Sequence, residues 1–216
     1  MNTLTKLKFT KEGDFAPFAG NTVVANLYDQ PHLLTIVDQL QTAYRELPFS
    51  EKLTLTPPES IHMTVFELLC DQNRQPEFWS KVLPLDIPIA DVHAYFAEKL
   101  SHFPLTGEHI KMTVQGLGRQ CILLKPADKA SQERLDNIRD FISYQTGVVF
   151  PNHHNYQFHI TFGYIREELT DEEVEFLAAC RKDLEKTILS KLTEVAISRI
   201  DYTTFESMAR FVPYGQ

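Results

Sequence analysis

Ser60-Ile61-His62-Met63-Thr64-Val65-Phe66 sets an imidazole and a hydroxyl two residues apart inside an otherwise apolar run. In a β-strand, side chains at i and i+2 point to one face. His62 and Thr64 therefore project together, while Ile61, Met63 and Val65 turn to the side a helical core would cover. The pattern returns at Gln157-Phe158-His159-Ile160-Thr161-Phe162-Gly163. There His159 and Thr161 share the polar face, with Ile160, Phe162 and Phe158 apolar. A chain with eight histidines yields roughly 0.7 His-x-Thr strings by accident, so the weight of the pair rests on where each copy sits.

Both copies occupy the same place in a repeated order of elements. Before the first, Asn21–Tyr28 reads as a strand from its Val and Leu content. Residues 31–47 follow as an amphipathic helix, with Pro31 in its first turn and Leu33, Ile36, Val37, Leu40 and Tyr44 at helical spacing. A short strand near 52–55 and the break at Pro57-Pro58 precede the motif strand, expected over about 60–68. Before the second copy, Ile110–Gln115 and Cys121–Lys125 flank Gly116-Leu117-Gly118-Arg119 as a hairpin. This Gly-x-Gly lacks the third glycine and the strand-to-helix context of a dinucleotide fingerprint. Asp128–Thr146 reads as a helix stopped by Gly147, and the motif strand is expected over 157–165. Strand, helix and motif strand thus occur twice, as expected of an internal duplication. Between the halves, residues 71–109 are punctuated by Pro76, Pro84, Pro88 and Pro104 and read as a connector with helices of its own. Thr170-Asp171-Glu172-Glu173 has capping-box form and opens a helix to about Leu189; Glu194–Tyr202 is the last expected strand.

Bulk properties narrow the class. The 216 residues, 43% hydrophobic and 23% charged, suit a single bilobal domain: lobe one about 20–70, the connector 71–109, lobe two about 110–202, with strand exchange between lobes allowed. No apolar run reaches eighteen residues, and Met1–Lys8 lacks the apolar segment of a signal peptide. Cys70, Cys121 and Cys180 are scattered and odd in number, which fits a reducing cytoplasm. A net charge of −8 argues against avid binding of long double-stranded nucleic acid, which needs many Lys/Arg contacts to phosphate. It leaves room for a small phosphorylated ligand. A monomer with no membrane partner is expected.

The two strand-borne motifs, 97 residues apart, resemble those of the two-histidine (2H) phosphoesterase superfamily, also called LigT-like. Gly20-Asn21-Thr22-Val23-Val24, His62-Met63-Thr64-Val65-Phe66-Glu67 and Phe158-His159-Ile160-Thr161 look most like a branch described as a domain of unknown function, over roughly residues 10–200. The resemblance implies an α+β fold of two lobes, each an antiparallel sheet with helices on its outer face, around a central cleft. It implies His62 and His159 as catalytic residues and Thr64 and Thr161 as phosphate-binding hydroxyls. Many members carry proline before the second histidine; this chain has Phe158, which bears on the shape of the cleft rim and the substrate.

The expected chemistry is hydrolysis of a 2′,3′-cyclic phosphate or a related nucleotide or RNA-end phosphodiester. One imidazole deprotonates water and the other protonates the leaving oxygen, with the threonine hydroxyls on the non-bridging oxygens. The scheme needs no metal and no cofactor. Phe66, two residues beyond Thr64, and Tyr28, at the end of the first strand, are candidates for stacking on a base. His153 and His154 lie close to His159 in sequence, but adjacent extended residues diverge, and they read as a polar loop rather than a metal site. His32, His93, His102 and His109 read as surface or structural residues. A non-catalytic nucleotide or RNA-end binding module, a 2′–5′ ligase-like activity and opening of an ADP-ribose cyclic phosphate are the competing readings.

Overall fold

A computed structural model describes residues 3–102, 106–151 and 153–216, with backbone only at residue 3 and at 106–109. Pro104 of the connector and the side chain of His109 lie outside the described residues. One helical turn, α1 (Thr3–Lys6), leads into an arm folded back on itself through a Phe9–Phe15 bridge. Strand β1 (Gly20–Asn26) follows, then α2 (Pro31–Arg45), β2 (Leu53–Leu55) and β3 (His62–Cys70), the first motif strand. The connector contributes α3 (Ile89–Leu100). β4 (Thr106–Leu117) and β5 (Cys121–Pro126) form the expected hairpin. α4 (Lys129–Thr146) is capped by the Asp128 carboxylate, which accepts from the Ser131 N–H, and stops at Gly147, whose φ of 66° suits glycine. The second motif gives β6 (His159–Thr161) and β7 (Gly163–Ile165). α5 (Asp171–Thr187) begins at a full capping box of Thr170 and Glu173. The chain closes with β8 (Glu194–Arg199), β9 (Asp201–Phe205) and β10 (Val212–Pro213).

Eight strands form one curled antiparallel sheet in the order β10-β9-β1-β3-β6-β5-β4-β8. It divides into two four-strand halves, each holding one motif strand at its inner edge. The halves meet where Met63 of β3 pairs with Ile160 of β6, both fully buried. Ile61, Val65, Ile122, Leu124 and Phe162 turn the same way and pack with α2, α3 and α4 in one continuous core. Burying side chains of this size stabilises by about 1.5–3 kcal/mol each, which fixes the strand register and so the opposite, polar face.

Two expected strands are each broken in the structure. Residues 157–165 split at Phe162. Its N–H donates to the Gln120 carbonyl, and its own carbonyl accepts from Thr56 N–H and the Gln41 side chain. β7 then leaves the main sheet and pairs with β2. Residues 194–202 split at Ile200, with β8 on β4 of the second half and β9 on β1 of the first. The last strands therefore cross between halves. α2 also reaches across, its Tyr44 hydroxyl donating to the Arg119 carbonyl in the second half's hairpin.

Candidate active site

The Met63–Ile160 pair fixes the geometry of both motifs. Continuing that antiparallel register sets His62 across from Thr161 and Thr64 across from His159. Each imidazole thus faces the other motif's hydroxyl. The two histidines lie on the diagonal of this block, a relation that separates strand positions by about 7–8 Å, enough for a phosphoryl group between them. All four side chains line one cleft of about 720 Å³.

The histidines are held alike. His62 Nδ1 is 2.6 Å from the Ser60 carbonyl oxygen, and His159 Nδ1 is 2.9 Å from the Gln157 carbonyl oxygen. A carbonyl only accepts, so each Nδ1 carries the proton, and in the neutral ring Nε2 holds a free lone pair. The supports are themselves fixed. The Ser60 hydroxyl donates to the Met208 carbonyl, and the Gln157 amide donates to the Leu124 carbonyl. His62 is also covered by Phe211, whose ring centroid lies 4.1 Å from the imidazole. Burial pushes its pKa down to about 4, against the opposing hydrogen bond to Ser60 and aided by the charges of His159 and Lys8. His62 is therefore neutral at pH 7. His159 is the more exposed of the two.

The structure separates the expected stacking residues from the cleft. Phe66 is 1% exposed and packs in the core against Phe150 and His153. The cause is a β-bulge: Val24 pairs with Thr64 but Val23 pairs with Phe66, so Val65 is an extra residue and the alternation shifts by one. Glu67, not Phe66, then turns into the cleft. Tyr28 is 45% exposed and sits by Arg199, outside the cleft-lining residues.

Other cleft residues lie outside the two His-x-Thr strings. Lys8, on the N-terminal arm, brings its ammonium to 5.3 Å from the Tyr164 ring centroid and 5.4 Å from that of Phe18. Desolvation lowers its pKa, with Glu67 and Cys70 opposing. Asn21 is 2% exposed; its Oδ1 accepts from the Leu69 N–H, leaving Nδ2 buried without a partner. Phe211, Phe205 and Met208, from the end of the chain, cluster with Phe18 on the His62 side. No spacing pattern points to Lys8, Phe205, Met208 and Phe211, because they reach the cleft from the two ends of the chain. Asn21 and Glu67 stand in the stretches that carry the family resemblance, and the bulge decides that Glu67 faces the cleft. The charged lining is mixed: Lys8 and Arg119 against Glu67, Glu167 and Glu168.

His153 and His154 do not diverge as extended residues would. They sit in a 3-10 turn with ring centroids 4.8 Å apart, beside Asp140 of α4. None of the three lines the cleft. Behind the cleft, the buried Arg139 guanidinium donates to the Val65 carbonyl at 2.6 Å and the His153 carbonyl at 2.8 Å. It lies over the rings of Tyr156, Phe66 and Phe158 at 4.5, 5.3 and 5.8 Å. Arg139 thereby ties the bulge of the first motif to the loop entering the second.

Comparison with known proteins gives the family. No curated protein matches the chain. A crystal structure of a conserved protein of unknown function from Agrobacterium tumefaciens superposes with a TM-score of 0.86 at 28% identity, covering 95% of this chain and 88% of that one. A structure described as a phosphoesterase is more distant, with a TM-score of 0.48, 11% identity and coverage of 91% and 95%. Residues 8–123 match the family described as 2H-phosphodiest, domain of unknown function (DUF1868). That match takes in most of the N-terminal arm, the first motif and most of the central hairpin, and the chain belongs to this family.

Proposed function

We propose that the protein is a metal-independent phosphodiesterase that opens a 2′,3′-cyclic phosphate, or a related nucleotide or RNA-end phosphodiester, by two-histidine acid–base catalysis. The observation that carries this reading is the matched pair of imidazoles. Each is locked through Nδ1 to a backbone carbonyl, and both line one cleft with a threonine hydroxyl across the strand from each.

His62, neutral at pH 7, is the base. Its Nε2 takes a proton from water as the water oxygen attacks phosphorus. His159, on the more open side, enters the step as imidazolium with a second proton on Nε2 and gives that proton to the departing ribose oxygen, so the P–O bond breaks without expelling a free alkoxide; water-exchanged protons then return His62 and His159 to their starting forms. The two rings sit diagonally across the strand pair, which suits attack and departure on opposite sides of phosphorus. Thr64 and Thr161 donate to the non-bridging oxygens as negative charge gathers there. Met63 and Ile160, buried beneath the site, hold the strands in register and the reacting groups in place. The two imidazoles account for both proton transfers, so the scheme calls on no metal. The mixed charge of the lining favours a small or short substrate over a long polyanion.

The test is turnover of 2′,3′-cyclic nucleotides with chelator present. His62→Ala and His159→Ala should each lower kcat by about 10²–10⁴-fold, the range of one positioned acid or base. Full activity in either variant removes the assignment. Nucleotide affinity that survives in the double variant, with no turnover in the wild type, makes the cleft a binding module instead.

A further inference from the structure

Asp140, His153 and His154 form a second cluster that the cleft chemistry does not use. One potential ligand atom from each lies within 4.8 Å of the others. The geometry points to a binding site for a divalent transition ion of borderline softness, with Zn²⁺ the fitting probe, held by two imidazoles and one carboxylate. This site is independent of the proposed phosphodiesterase reading.

Three observations support it. First, the ligand set is what such an ion takes: zinc sites are built from His nitrogen at about 2.0–2.1 Å and carboxylate oxygen at about 2.0–2.2 Å. Tetrahedral ligands at those lengths stand about 3.3–3.5 Å apart. Asp140 and His154 are exposed, so rotation of their side chains can open the 2.7 Å His153–Asp140 contact to that spacing, the ion replacing the shared proton, and bring His154 into the shell without moving the backbone. Three protein ligands leave the fourth position to water.

Second, the central ligand is already held. His153 Nε2 lies 2.7 Å from the Asp140 carboxylate, and the His153 side chain is only 10% exposed. Its Nδ1 is buried with no hydrogen-bond partner. The imidazole is thus hydrogen-bonded at Nε2 only, the reverse of His62 and His159, which are held at Nδ1. Its ring is packed against Phe66 at 5.7 Å, and its carbonyl accepts from Arg139.

Third, the cluster joins two elements whose relative position matters. Asp140 is on α4, and the histidines sit in the turn that leads through Tyr156 to His159. A bound ion would clip that turn to the helix, next to the link that Arg139 already makes.

The experiment is titration of the metal-free full-length chain with zinc chloride by calorimetry, with Asp140→Asn and His154→Asn in parallel. Both substituted residues are exposed, so circular dichroism should show the fold intact. The expected result is one zinc per chain in the wild type, weakened at least about tenfold in each variant. X-ray absorption of the loaded protein should show imidazole nitrogen and oxygen and no sulfur. Absence of saturable binding overturns the site. So does binding equal in wild type and both variants, or sulfur in the coordination shell, which would direct the ion to the cysteines.

Discussion

Replacing Phe211 by alanine should change how His62 titrates, and the size of the change follows from the structure. His62 is held at about 4, roughly 2.5 units below an unperturbed histidine, which corresponds to about 3 kcal/mol favouring the neutral ring. The largest cause is desolvation, and Phe211 at 4.1 Å forms much of the cover. Removing that ring admits water to one face of the imidazole. The positive charges of Lys8 and His159 remain, so the value should climb by about one to two units without reaching 6.5. The assay is an NMR titration of the His62 ring protons, read beside the acid limb of kcat/KM against pH. In the wild type both should bend near pH 4; in Phe211→Ala both should move to about pH 5–6. Phe211 is 6% exposed, so the variant should also lose about 3 kcal/mol of stability. Phe211→Leu, which keeps the cover, should leave the titration nearly in place. If wild-type His62 titrates near 6.5, or Phe211→Ala leaves it unmoved, the reasoning is refuted.

Further outcomes follow from the same geometry. His62 is neutral in the fold but gains a proton on unfolding below pH 6.5. Stability should therefore fall as pH drops from 6.5 to 4 and level off below, and His62→Asn should remove that part of the slope in chemical denaturation. Phe66→Leu should cost about 1 kcal/mol by thermal melting and leave KM unchanged, because Phe66 belongs to the core. Glu67→Gln, on the cleft side, should alter KM while sparing stability. Arg139→Met should destabilise by about 2–4 kcal/mol by leaving the Val65 and His153 carbonyls unpaired. It should lower kcat more than it raises KM, and Arg139→Lys should restore only part of the loss because its single ammonium cannot span both carbonyls.

The elements that carry the motifs were legible because their signals are local. The alternation of Ile61, Met63 and Val65 and of Ile160 and Phe162 gives two strands with a polar face, and the helix starts read at Asp128 and at the Thr170 capping box lie within a residue of the observed ones. The hidden features are those that depend on pairing between distant segments. The bulge opposite Val23 and Val24 exists only in the β1–β3 ladder, so reading Phe66 at i+2 from Thr64 put it on the wrong face. The break at Ile200 leaves no mark in an otherwise strand-like run, yet it sends β9 across to β1. Lys8 and Phe211 reach the cleft because the two ends of the chain fold over the His62 side, a placement no periodicity encodes. Adjacent histidines diverge only if extended; the turn at His153–Asn155 brings them together.

The central claim is that two imidazoles bracket one phosphorus, and a crystal structure with a nucleotide 2′- or 3′-phosphate bound tests it most directly. Phosphate oxygens should lie about 3 Å from Nε2 of both His62 and His159, with the Thr64 and Thr161 hydroxyls on the non-bridging oxygens. A phosphate seated beside Lys8 or Arg119, out of reach of one histidine, would contradict it.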